Sequence, residues 1–283
     1  MEQPDDVRVH AFFDTVVAAY PDLFHHGLIA SGPLADLGND PLGSVPEAQE
    51  RVSKYLRELK PYIPAMRRIT TKIHENFSRY VNDFSSTFAD YAPTTPVYFT
   101  VSLFGFAAGM NLSGETTGLY FGIDELARIH GSNDNLKIIF EHELFHQYHY
   151  QIAPEISANQ AAWAYMWEEG LATYVSRQMS PGCTIDQALV IPSRLSELAK
   201  PHVRELAQRL LDKPDSTDST TYVDLFSDDK APPGLPTRSG YYLGFRVAEL
   251  LGATRSLTEL AHLRGPELKH AVLDALTELR NPE

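Results

Sequence analysis

His142-Glu143-Leu144-Phe145-His146 sets two imidazoles four residues apart with a carboxylate between them. Four residues are just over one helical turn, so on a helix both rings leave the same face, roughly 6 Å apart. Such a pair can hold one Zn²⁺ through bonds of about 2.0–2.1 Å. Glu143 then projects beside that face, where it can act as general base toward a metal-activated water without being a ligand. Leu136, Ile138, Ile139, Phe140, Leu144 and Phe145 surround the motif. They predict a helix that is largely buried, where unpaired imidazole and carboxylate groups would be costly. Glu141, pointing around the helix from the metal face, reads as a surface or capping charge.

A catalytic zinc takes three protein ligands and leaves one position for water. The metzincin pattern requires a glycine three residues after the second histidine and a histidine three beyond that. Here those positions are His149 and Ile152, so that class is excluded. His149 could approach the metal from the next turn, although a histidine so placed more often sits behind the ligands or at the surface. Further on, Trp167-Glu168-Glu169-Gly170-Leu171-Ala172 follows with 22 residues between His146 and Glu169. The combination resembles the gluzincin (thermolysin-like) zinc metallopeptidases, in which H-E-x-x-H is followed by a Glu-Gly element on a second helix. The resemblance implies that Glu169 is the third ligand, with Glu168 as the replacement candidate. Gly170 and Ala172 are small enough to let that helix approach the one bearing the histidines.

Ser239-Gly-Tyr-Tyr-Leu-Gly-Phe245 is similar to the Gly-Tyr-x-x-Gly element that follows Glu-Gly-Leu-Ala in bacterial zinc-dependent proteases. The resemblance implies a phenol that steadies the oxyanion of the tetrahedral intermediate, from Tyr241 or Tyr242, with Tyr241 preferred because it shares a helical side with Gly244. It also implies a small sheet above the active-site helix, with an edge strand that binds extended peptide by backbone pairing. Leu119 to Asp124 is the preferred edge strand.

The elements that must position these groups follow from periodicity. Helices are expected over Val7–Tyr20, from Pro46 to Lys60, along the stripe Ile63, Met66, Ile69, Ile73, Phe77, Val81, Phe84 and Phe88, then from caps at Ser132–Asp134 to about Tyr150, and from Asn159 to Met179. Further helical patterns cover Ser193–Leu211, Gly240–Leu251 and Pro266–Leu279. Glycines and prolines from Gly27 to Gly43 mark an irregular connection. Residues Pro96 to Asp124 read as sheet, with turns at Asn111–Gly114 and Thr116–Gly118, and with Leu119, Phe121 and Ile123 lining one buried face. Lys213 to Ser239 is polar and reads as a surface loop or flap. The expected fold is α+β and mainly helical, in three parts: a helical N-terminal region (1–92), a zinc-binding core (93–180) and a helical C-terminal lobe (181–283).

Composition bounds the rest. The 283 residues suffice for a substantial core, and a formal charge of -13 disfavours nucleic acid as a partner. Cys183 is the sole cysteine, which removes internal disulfides and Cys-rich zinc sites; it follows Pro181-Gly182 in an expected turn and reads as structural. Neither a basic signal segment nor an apolar run of membrane-spanning length is found, so a cytoplasmic protein without membrane partners is expected. The expected function is hydrolysis of peptide bonds in a peptide or protein substrate, with one Zn²⁺ per chain. Two alternatives are a non-catalytic zinc-bearing domain that binds peptides or proteins, and a hydrolase of non-peptide amides or esters.

Overall fold

A computed structural model of the protein describes residues 5–24, 45–93, 95–110, 118–131 and 136–281. The expected connection from Gly27 to Gly43, the turns at Asn111–Gly114 and Thr116–Thr117, and the caps at Ser132–Asp134 lie outside the described residues. The fold is α+β and mainly helical, with one three-stranded sheet among the described residues. No described helix is long and apolar enough to cross a membrane. The chain forms two compact units, Met1–Phe77 with Pro93–Asp134, and Ser78–Ala92 with Asn135–Glu283.

In the first unit, the helices Asp5–Phe12 and Pro46–Glu58 bury Val9, Phe12, Val52 and Tyr55 in a shared apolar core. Pro46 occupies the first helical turn, where its missing N–H goes unused. The sheet comprises β1 (Val97–Thr100), β2 (Ala108–Met110) and β3 (Leu119–Gly122), in the order β1-β3-β2. β1 runs parallel to β3 with Val97 opposite Leu119, and β2 runs antiparallel with Ala108 opposite Phe121. Tyr98 stacks on Tyr120 and Phe99 on Phe121.

The sheet corrects two expectations. Leu119 to Asp124 is not an edge strand: β3 is central, with a strand on either side, and all four of its residues are buried. The strand also ends at Gly122, and Ile123–His130 is helical. Asp124 explains the break. Its carboxylate accepts the backbone N–H groups of Ser102 (2.6 Å) and Phe104 (2.9 Å), pinning the turn in which Leu103 and Phe104 adopt positive φ.

The second unit is built on two central helices, Leu136–Ile152, which carries H-E-x-x-H, and Ala162–Met179, which carries Glu169. Both are apolar around most of their circumference, as helices covered on several sides must be. Phe84, Phe88 and Tyr91 pack against Tyr148 of the first; Tyr148 donates to Asp90 (2.8 Å) and Tyr91 to Gln147. The helix Ser239–Gly252 lies against Ala162–Met179, and Val203–Asp212 and Gly265–Arg280 complete the unit.

Four further expectations change here. Gly170 meets the backbone of Gly244, so its small size serves the contact with Ser239–Gly252 and not the approach to the histidine helix. Glu141 is fully buried, accepting from Ser180 Oγ (2.6 Å) and facing Lys137 Nζ at 3.3 Å; its helix has no broad polar face to offer it. The stretch from Lys213 to Ser239 is more than a loop, since Asp218 caps the helix Ser219–Phe226 by accepting the Thr221 N–H. The expected helix Ser193–Leu211 is broken around Pro201 into Leu195–Ala199, a 3-10 turn at Lys200–His202, and Val203–Asp212. Cys183 is buried after the expected turn.

Candidate metal centre

The helix Leu136–Ile152 presents His142 and His146 one turn apart, their Nε2 atoms 3.0 Å from each other. Glu169, from the neighbouring helix, places Oε2 3.5 Å from each of those nitrogens. Three donor atoms at the corners of a triangle with sides of 3.0, 3.5 and 3.5 Å match a tetrahedral ion. Bonds of about 2.0–2.1 Å at tetrahedral angles separate ligand atoms by roughly 3.3–3.4 Å. Two imidazole nitrogens and a carboxylate oxygen turned toward one point need a cation or protons to offset their lone pairs, and this donor set is one zinc accepts. These three residues form a group able to hold a metal ion.

The electrostatics express the same convergence. Burial works against a charged His146, yet the Glu169, Glu143 and Glu168 carboxylates outweigh it and raise its pKa to about 10. Burial also works against an ionised Glu169, but His146 and His142 hold its pKa well below the usual carboxylate range. Glu143, next to His142 on the helix, has its pKa raised by burial, an effect that His142, His146 and Arg238 oppose and Glu169 reinforces. A carboxylate in this setting is a stronger base than one in water.

The two alternative ligands stand apart from the cluster. Glu168 accepts from Ser157 Oγ and sits behind His146, with Oε1 3.9 Å from Nδ1, the ring nitrogen that faces away from the metal position. His149 is fully buried, stacks on Phe145, and has no hydrogen-bond partner at either nitrogen; burial above all drives its pKa down to about 3, so it is neutral.

Of the two tyrosines, Tyr241 lies within electrostatic reach of Glu169. Burial first, then the Glu169 charge, raises its pKa, and its hydroxyl lies 3.3 Å from that of Tyr165. Tyr242 instead acts electrostatically on Arg246 of its own helix, whose Nε lies 2.9 Å from Glu249 Oε2. Tyr165, Tyr222 and Arg238 are additional neighbours that sequence reading missed. Tyr165 lies one turn before Glu169 on the same helix face, a spacing that could have revealed it. Tyr222 comes 3.3 Å from the Tyr165 hydroxyl on the unanticipated helix Ser219–Phe226, and the Arg238 guanidinium carbon lies 3.8 Å from the centre of the Tyr241 ring.

Neither the curated proteins nor the solved structures contain a match to this chain. A family model described as Predicted Zn-dependent protease (DUF2268) matches residues 123–264, half of the chain. That stretch includes both central helices, the histidine pair, Glu169 and the Gly-Tyr-Tyr-Leu-Gly element. With its model covering that span and the donor triangle inside it, the chain belongs to the family of predicted Zn-dependent proteases.

Proposed function

We propose that the protein is a gluzincin-type zinc peptidase that hydrolyses peptide bonds, with His142, His146 and Glu169 as the metal ligands. The convergence of His142 Nε2, His146 Nε2 and Glu169 Oε2 carries the reading. His142, His146 and Glu169 would hold a zinc ion, which would supply a Lewis acid for the scissile carbonyl and lower the pKa of a water. Glu143 removes a proton from that water and delivers it to the leaving amine, a task suited to a carboxylate whose burial makes it more basic. Tyr241, desolvated and kept neutral by burial and by Glu169, donates its hydroxyl hydrogen bond to the oxyanion. Glu168, held by Ser157, faces the outer nitrogen of His146 and favours presentation of Nε2 to the metal.

The test is cleavage of a mixed peptide library by the zinc-loaded protein and by Glu143→Gln. Cleavage that a chelator abolishes and zinc restores is expected from wild type, with a loss of at least ~100-fold in the variant at unchanged zinc content. Full turnover by Glu143→Gln would remove the general base from the scheme. Zinc binding without hydrolysis of any peptide would point to a binding domain or another acyl substrate.

A further inference from the structure

Arg238 stands immediately before the helix Ser239–Gly252, in a left-handed backbone conformation (φ 57°, ψ 19°) that a branched or long side chain rarely adopts. The chain holds it there: its N–H donates to Ser227 O (3.1 Å), and its carbonyl accepts the Tyr241 N–H (3.0 Å). Backbone strain of this kind, maintained beside a reactive centre, commonly marks a residue whose side chain has a task.

That side chain is mostly buried, with its guanidinium carbon 3.8 Å from the centre of the Tyr241 ring. The Arg238 charge acts on Glu143, Glu169 and Tyr241, the groups given to the metal and the chemistry in the reading above. Arg238 is thus a fixed cation near the chemistry. One arm is occupied: Nη1 donates to Asp228 Oδ1 at 2.7 Å. Asp228 is 65% exposed, so this counter-ion is held from the solvent side and can be displaced. Nε is buried without a hydrogen-bond partner, so Asp228 leaves the donor capacity of the guanidinium incompletely filled.

We propose that Arg238 is a specificity residue that takes a carboxylate of the peptide substrate in exchange for Asp228, with Tyr241 as the platform that sets the plane of the guanidinium. The docked Asp228 already shows the class of group the fork accepts, and a guanidinium pairs with a carboxylate through two parallel hydrogen bonds more favourably than with a neutral carbonyl. On a chain of net charge -13, acidic peptides are repelled by most of the surface, so a cation beside the site discriminates strongly for a carboxylate placed on it. The carboxylate can be the peptide's C-terminus or an acidic side chain near the scissile bond. This inference rests on the reading of the site as a peptidase.

The experiment compares kcat/KM for two peptide pairs: one neutral peptide as free acid and as C-terminal amide, and one end-blocked peptide carrying Glu or Gln beside the scissile bond. Wild type is expected to prefer the carboxylate member of one pair by about tenfold or more, and the pair that responds identifies the source. Arg238→Gln should bring that ratio close to one, Arg238→Lys should restore part of it, and Asp228→Asn, which removes the competing carboxylate, should increase it. Because Asp228 is exposed, its variant remains informative even where Arg238→Gln fails to fold. Ratios near one for both pairs in wild type, with peptides still cleaved, would overturn the subsite and leave the peptidase intact. If no peptide is cleaved, the peptidase reading fails separately. The same pairs are then bound to zinc-loaded Glu143→Gln, where equal affinity for the members of both pairs overturns the carboxylate subsite.

Discussion

Gly170 and Gly244 meet back to back, so closely that a Cβ built on Gly244 would lie 2.8 Å from the Gly170 Cα and one built on Gly170 would enter the Gly244 backbone. The contact joins the helix that carries Glu169 to the helix that carries Tyr241, and neither partner can rotate away as a flexible side chain would. Gly170 directly follows Glu169, so the spacing of these helices sets where the Glu169 carboxylate and the Tyr241 phenol stand.

Gly170→Ala and Gly244→Ala are therefore expected to destabilise the protein by ~3 kcal/mol, the upper part of the range for overpacking, because the clash is with backbone. Gly182→Ala is the control: a Cβ there meets nothing within 4 Å, so little change is expected. Urea midpoints of the three variants decide the matter, and equal midpoints would mean the helices separate easily.

Tyr241→Phe should lower kcat by about 100-fold or more, as expected for loss of one preorganised oxyanion donor, with zinc content unchanged. Tyr242→Phe should leave kcat within a few-fold, since that residue acts on Arg246 of its own helix. Steady-state kinetics on the two variants separates the neighbouring phenols, and the reverse ranking would assign the donor role to Tyr242.

The raised pKa of His146 in the metal-free protein gives zinc binding a defined pH dependence. His146 carries a proton until pH approaches about 10, and zinc takes the same lone pair, so binding at neutral pH must release that proton. Apparent affinity should then rise about tenfold per pH unit between pH 7 and 9, with close to one proton released by this residue. The linked effect on stability has the opposite direction. The folded pKa lies above the ordinary value of about 6.5, so the proton on His146 stabilises the metal-free fold fully below that value, and this contribution is lost as pH rises through about 10. Calorimetric titration with zinc in two buffers of different ionisation enthalpy measures the release, and a pH-independent affinity would contradict it.

What the sequence made legible divides along physical lines. The histidine pair was readable because a spacing of four residues becomes a shared face on any helix. The third member of the candidate metal group needed a resemblance, since Glu168 and Glu169 differ only in direction, and packing fixes which of them faces Nε2. Gly170 announced a close approach but not its partner, because a missing Cβ carries no record of what occupies the space. Glu141 was misread even though apolar neighbours crowd its helix, and a carboxylate on such a helix must be buried and satisfied, as Ser180 and Lys137 now show. The strand Leu119–Gly122 alternates in sequence with aromatic and small residues, yet both faces are covered, and alternation alone does not distinguish a central strand from an edge. The helix Ser219–Phe226 had a readable signal in the Asp218 cap followed by Tyr222, Val223, Leu225 and Phe226, which the polar surroundings obscured. Arg238 had none, because its position depends on a backbone turn that no residue pattern specifies.

The most direct measurement is zinc K-edge X-ray absorption on the zinc-loaded protein. Two imidazole nitrogens with their characteristic outer-ring scattering, plus oxygen donors from Glu169 and water, all at about 2.0–2.1 Å, are the predicted shell. A sulfur neighbour at about 2.3 Å, implicating Cys183, or a shell of oxygen alone would contradict the assignment of His142, His146 and Glu169 as the metal ligands.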